Sequence, residues 1–452
     1  MKIQNDLGRD SIPRLVLRLA VPAMIAQFVT VLYSIIDRMY IGNIKEIGDL
    51  ALAGVGICAP IVTLLSSFGT LVGLGGSIFM AMKLGEGDRK KAKQILSNCV
   101  LMLTVISVSL TVLFLILKEK LLMWFGASAI TMPYANTYLT IYTAGTFFAL
   151  MSIGLNYFIT CQGYATVGMA TTLIGAVANI ILDPVFIFVF RLGVAGAAIA
   201  TVIAQLLSFT FVIYFLCRRV PVKISFGGYE LSDMGRVLGL GFPPFLIMAT
   251  DNIILIVLNS VLQMYGGAAE GDTLITCATI VQSYSSLITG PMLGISGGTQ
   301  ALISFNYGAR NSGRIKEAEK YILLLCLAFT TVMFLVSRFL PQYFVRLFTG
   351  DAALMELSVW GIQVFTMAVI PLSFQYVFVD GLTALGCCRV SLSLSLFRKG
   401  SFVVFTFLLP TLFSAKNTFY AEPLADIISS TVTTVVFFLV INKYLAKREA
   451  QT

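Results

Sequence analysis

Twelve long apolar runs, bounded by clusters of charge, glycine and proline, constrain this chain more than any motif does. They lie near 15–41, 50–82, 95–117, 131–160, 164–190, 194–217, 237–265, 273–306, 321–340, 356–384, 390–413 and 420–446. A helix of about 20 apolar residues crosses the hydrocarbon of a bilayer, so each run is long enough to span it once. Only 12% of the 452 residues are charged and 58% are hydrophobic, whereas a soluble domain carries about a quarter charged residues. The strands of an outer-membrane barrel alternate polar and apolar side chains, and these runs do not. The sequence therefore predicts an all-α polytopic membrane protein with twelve transmembrane helices.

The longest connector, RRVPVKISFGGYELSDMGR at 218–236, falls after the sixth run. It divides the chain into an N-lobe, 1–217, and a C-lobe, 237–452, of six helices each. The halves echo one another. The second run ends GLGGSIFMAMKLGEGDRKKAK and the eighth ends GISGGTQALISFNYGARNSGRIKEAEK: a glycine-rich segment, a stretch of helix, a glycine, then a basic amphipathic stretch. Two pseudo-symmetric lobes built by internal duplication are a common plan for secondary transporters. Loops on one side, taken with the flanking parts of the runs and so including Arg398 and Lys399, hold 23 of the 31 Lys and Arg and the opposite side seven, so both termini are expected in the cytoplasm. The N-terminus has no small-residue cleavage site after a short apolar core, and no signal peptide is expected.

Several chemistries are excluded. The chain has no histidine, hence no Ser-His-Asp triad, no His-ligated metal and no imidazole relay. Its eight cysteines form no CxxC motif and read as small core or lipid-facing side chains. The net charge of +9 is dispersed among loops, a poor match to a nucleic-acid surface. GLGG and GISGG lack the GxxxxGK[ST] pattern of a phosphate loop, so close helix packing is their expected purpose. No cofactor and no enzymatic activity are expected.

Proton or cation chemistry thus falls to carboxylates inside the runs, where an acid is costly unless it is paired, faces a water-filled cavity or takes up a cation. The candidates are Asp37, Asp183, Asp251 and Asp380. Asn179 lies one helical turn before Asp183, on the same face, so an amide and a carboxylate can point at one spot. Pro184 follows and frees the carbonyl of Ile180. Gln27, Asn156, Tyr157, Met248, Asn259 and Gln282 are polar, aromatic or adaptable side chains inside runs, suited to lining a cavity for flat lipophilic cations.

Three separated stretches carry a family resemblance: PAMIAQFVTVLYSIIDRMYIG followed by LALAGVG, NIILDPVFIF followed by GVAGAAIATVIAQ, and GISGGTQALISFNYGARNSGRIKEA. In these the chain resembles the bacterial multidrug and toxic compound extrusion (MATE) transporters over essentially its whole length. The resemblance implies a V-shaped pair of six-helix lobes in the inner membrane, acting as a monomer, that exports cationic amphiphilic compounds in exchange for H⁺ or Na⁺. It also implies an N-lobe pocket joining Asn179 and Asp183 to Asp37, with Tyr33 one turn before Asp37 and Thr201 at a further polar position. A Na⁺ held by Asp37, Asn179 and Asp183 is the one metal it suggests. Asp251, eight residues after Pro243, matches the spacing of a C-lobe glutamate in the sodium-coupled branch. The partner acid of that branch is not matched: its position falls on Phe374, and Asp380 lies about two turns later. The same superfamily contains lipid-linked oligosaccharide flippases, but these usually add spans and line the cavity with cations. A lipid-modifying membrane enzyme would need a nucleophile with a base, or a metal cluster, that this sequence lacks.

Overall fold

The computed structural model describes residues 5–45 and 47–450, and among them there is no strand. The helices are α1 (Ile12–Gly42), α2 (Gly48–Gly85), α3 (Arg89–Trp124), α4 (Met132–Ala144), α5 (Thr146–Thr160), α6 (Ala165–Pro184), α7 (Gly193–Arg218), α8 (Leu231–Gly308), α9 (Ser312–Phe339), α10 (Pro341–Val345), α11 (Ala352–Phe365), α12 (Val369–Ala384), α13 (Cys388–Leu412) and α14 (Ala421–Glu449). A π-helical turn, Val185–Val189, follows α6, and a 3₁₀ turn, Ala415–Tyr420, precedes α14.

Among the described residues nine helices are long and apolar enough to cross a bilayer. Two bent pairs, α4 with α5 at 55° and α11 with α12 at 49°, bring the number to eleven. Helix α8, at 78 residues, is far longer than one crossing needs. It breaks at Gly267, whose φ of 61° and ψ of −161° are not helical, a conformation open to a residue without Cβ. The limb beyond Gly267 occupies the run read at 273–306. Each of the twelve runs is thus a helix, a bent helix pair or one limb of α8. This is an all-α polytopic membrane protein.

The echoed segments fold alike. After α2, Gly87 takes a positive φ of 83° and Asp88 caps α3, its side chain accepting from Lys91 N at 2.9 Å. After α8, Arg310 takes a φ of 57° and Asn311 caps α9 by accepting from Arg314 N at 3.2 Å. Both caps satisfy a backbone donor that helix geometry leaves open. The bent pairs also recur at the fourth run of each half.

The chain forms two compact units, one of Ile25–Ala249 with the N-terminal segment through Asp10, the other of Ser11–Met24 with Thr250–Thr452. The core of the first gathers Cys58, Leu65, Leu139, Tyr142, Leu150 and Ala197, and that of the second Tyr284, Ile288, Phe365, Phe402 and Phe419. Outward faces are apolar too: Val105, Val108, Val112 and Ile116 lie exposed along one side of α3, a pattern that suits lipid and not water. The glycine-rich segments serve close packing. A Cβ on Gly75 would stand 2.2 Å from Val237 O of α8, and one on Gly294 would stand 2.7 Å from Ala23 O of α1.

Candidate functional site

In the first unit, α1, α4, α6 and α7 bring polar side chains together. Asn179 and Asp183, a turn apart on α6, are both buried, and Asn179 Nδ2 donates to Asp183 Oδ1 at 3.0 Å. The same amide nitrogen lies 3.4 Å from Thr201 Oγ1 of α7. Thr201 in turn donates to Ala197 O at 3.0 Å, so its lone pairs are the groups facing Asn179. Immediately after Asp183 the α-helix gives way to the π-helical turn. Pro184 has no N–H to carry the regular ladder on, and such turns often mark functional sites.

Asp37, half-buried on α1, lies within hydrogen-bonding reach of Asp183. Both side chains are acceptors when ionised. Asp183 Oδ2 and Asp37 Oδ1 are sealed from solvent without a donor among the described residues. The donors of Asn179 are already committed, and the one cation that acts on the pair, Arg38, does so on Asp37 electrostatically without reaching either unpartnered oxygen. Two facing buried carboxylates are costly when both are ionised, and a shared proton or small cation relieves that cost.

Tyr33, a turn before Asp37 on α1, lies close to Asp37 and Asp183. Tyr138 of α4, which that reading does not single out, meets Thr201 with its hydroxyl and stands beside Asp37. Tyr142, a turn further, hydrogen-bonds Gln205 Nε2 at 3.3 Å. A tyrosine on an apolar helix face looks like core from sequence alone, so only the fold reveals these two.

Asp251 belongs to the second unit and carries its own counter-ion: Lys399 Nζ lies 2.7 Å from Asp251 Oδ1 and donates to Thr250 Oγ1 at 2.8 Å. The Asp251 side chain is 62% exposed and that of Lys399 only 9%. Of the six cavity candidates, Gln27, Asn156, Tyr157 and Met248 lie in the first unit and Asn259 and Gln282 in the second. All six are partly exposed. Asn156 is engaged in packing, donating to Gly168 O at 3.3 Å, and the ring of Tyr157 closes on Gly73 of α2.

Two of the cations that the sequence assigns to loops lie inside a helix. Arg398 and Lys399, counted with the loop before the eleventh run, lie well inside α13, and both are largely buried. Arg398 Nη2 meets Glu422 Oε1 at 2.6 Å, and its Nε meets Asp426 Oδ1 at 2.7 Å. Glu422 and Asp426, in the first turns of α14, are the largely buried partners of that guanidinium.

Helices long and apolar enough to span a bilayer, two compact units with recurring bends and caps, and buried acids within the helices are the features of a membrane transporter. Comparison with known proteins supplies the family. A family model described as MatE matches residues 22–185 and 243–408, nearly three quarters of the chain, and the chain belongs to this family. It is 23% identical over 434 residues to "Multidrug export protein MepA" of Staphylococcus saprophyticus, covering 95% of this chain and 94% of that one. To the protein of the same name from Staphylococcus aureus it is 24% identical over 423 residues, covering 93% and 92%. Among solved structures, one described as the "Outward-facing conformation of a multidrug resistance MATE family transporter of the MOP superfamily" shares the fold with a TM-score of 0.91. Identity there is 22%, covering 97% of this chain and 98% of that one.

Proposed function

We propose that the chain exports cationic amphiphilic compounds from the bacterial cell in exchange for inward H⁺ or Na⁺. In this reading it works as a monomer in the plasma membrane, with both termini in the cytoplasm and two six-helix lobes joined through the segment 218–236. The Asp37–Asp183 pair is the coupling site. One observation carries the reading: an oxygen of each carboxylate is sealed away with no donor, beside an amide whose hydrogens are already spent.

The mechanism follows from charge. With both acids ionised, their mutual repulsion favours an open, hydrated arrangement, and a cationic compound is accommodated. Arrival of H⁺ or Na⁺ cancels one charge and lets α1 close on α6 and α7, so that the cavity contracts and the compound leaves. Tyr33 and Tyr138 border the pair and limit how much water follows the ion. The name MepA borne by the Staphylococcus relatives supports multidrug export as the activity.

The test is counterflow in proteoliposomes loaded with ethidium, with a pH gradient and a Na⁺ gradient imposed separately. One of the two is expected to drive export, and Asp37→Asn and Asp183→Asn are expected to abolish it. Undiminished export by both variants at equal protein levels would sink the assignment.

A further inference from the structure

The second unit holds another set of buried acceptor oxygens without a donor among the described residues. Glu319 lies in the basic amphipathic start of α9, where a solvated side chain is expected. Instead it is 5% exposed, and neither Oε1 nor Oε2 has a partner among the described residues. Its carboxyl presses on the backbone of α12: a Cβ at Gly381 would stand 1.9 Å from Glu319 Oε1. The preceding residue, Asp380, interacts electrostatically with Glu319 and has Oδ2 buried without a partner. Ser296 and Gln300, one turn apart on α8, both reach Asp380 with hydrogen bonds, leaving its Oδ2 as the oxygen without a partner. Gln300 is itself buried, and its Oε1 is another acceptor without a donor.

The thiol of Cys326 on α9 is a further ionisable neighbour. The ion pairs among the described residues include neither Glu319 nor Asp380. Four acceptor oxygens from α8, α9 and α12 are therefore buried together without a positive partner. A single proton bridges two oxygens and leaves the others unsatisfied. A hard monovalent metal ion can be shared by all of them, since oxygen ligands of mixed charge are what hard cations select.

We propose that Glu319, Asp380, Gln300 and Ser296 form a Na⁺ site separate from the Asp37–Asp183 pair. The two carboxylates supply the charge and the Gln300 carbonyl supplies a neutral ligand. Ser296 Oγ, which donates to Met292 O at 3.3 Å, keeps a lone pair for the ion. Gly381 makes the site possible by letting the Glu319 carboxyl lie against α12.

The site is tested on full-length protein carrying Asp37→Asn and Asp183→Asn, so that the outcome does not depend on the first pair. Radiolabelled Na⁺ binding and melting temperature in detergent are measured against K⁺ and choline. Expected are saturable Na⁺ binding of about one ion per chain and a Na⁺-specific rise in melting temperature. Adding Glu319→Gln or, separately, Asp380→Asn should lower the apparent affinity at least tenfold. Both amides can hydrogen-bond to the remaining acid, so these variants are expected to fold, and either one suffices. Three results would overturn the proposal: no Na⁺-specific effect in the background variant, Na⁺ binding untouched by both added substitutions, or a response to pH alone.

Discussion

Replacing Asp183 by Asn separates coupling from folding more sharply than any other single change. The amide keeps the acceptor that Asn179 Nδ2 reaches at 3.0 Å, so the local hydrogen bond survives. Its new N–H₂ faces Asp37, whose Oδ1 is buried without a donor, and so supplies what the parent lacks. A hydrogen bond to a charged group contributes about 1.5–3 kcal/mol, and relief of the facing charges adds to it. Two unit charges about 4 Å apart interact by about 4 kcal/mol at an effective dielectric of about 20. Water reaching half-buried Asp37 screens part of this, leaving about 2–3 kcal/mol, or about a hundredfold in affinity for a bound cation. The variant should therefore melt at or above the parent's temperature without added Na⁺ or acid, bind the coupling ion about a hundredfold more weakly, and export almost no dye. Melting by intrinsic fluorescence, together with dye counterflow, reads all three. A stable Asp183→Asn protein that still pumps would refute the charge argument. A protein that melts well below the parent would refute the hydrogen-bond accounting.

Three further outcomes follow from the packing. Arg398→Met leaves Glu422 and Asp426 buried without the guanidinium that meets both; removing one member of a buried ion pair costs about 3–5 kcal/mol. Adding Glu422→Gln and Asp426→Asn should recover most of the lost melting temperature, and a triple variant no better than the single would refute this account. Gly75→Ala drives a Cβ to 2.2 Å from Val237 O and 2.7 Å from Gly241 N, and overpacking of this kind costs about 1–3 kcal/mol. Gly239→Ala, on the same α8 limb with open space at its Cβ, should be neutral in the same melting assay. Lys399→Ala strips the counter-ion from Asp251, whose side chain is 62% exposed. With the Asp251 end of the pair open to solvent the loss costs about 1 kcal/mol at most, and the freed carboxylate attracts cations, so the KM for a cationic dye should fall several-fold while that for a neutral dye stays put.

Much of this protein is local, and what is local is legible in the order of its residues. Apolar length sets where a helix crosses, because hydrocarbon cannot hydrogen-bond a bare backbone; the runs needed no partner to be recognised. Asn179 and Asp183 are a turn apart on one helix, so their meeting is a matter of period, and Asp88 and Asn311 cap within their own turns. Partnership across the fold was another matter. Arg398 was counted with a loop because nothing near it in the chain discloses Glu422 and Asp426, which lie 24 and 28 residues away. Asp251 looks like a bare acid until Lys399, 148 residues on, is seen to hold it. Glu319 sits among lysines and arginines, and only packing against Gly381 shows that its carboxyl faces inward, away from them. The hydrophobic pattern decides which segments enter the membrane. Which buried charges are neutralised by protein, and which await an ion, depends on distances between helices far apart in the chain, and tertiary structure alone sets those.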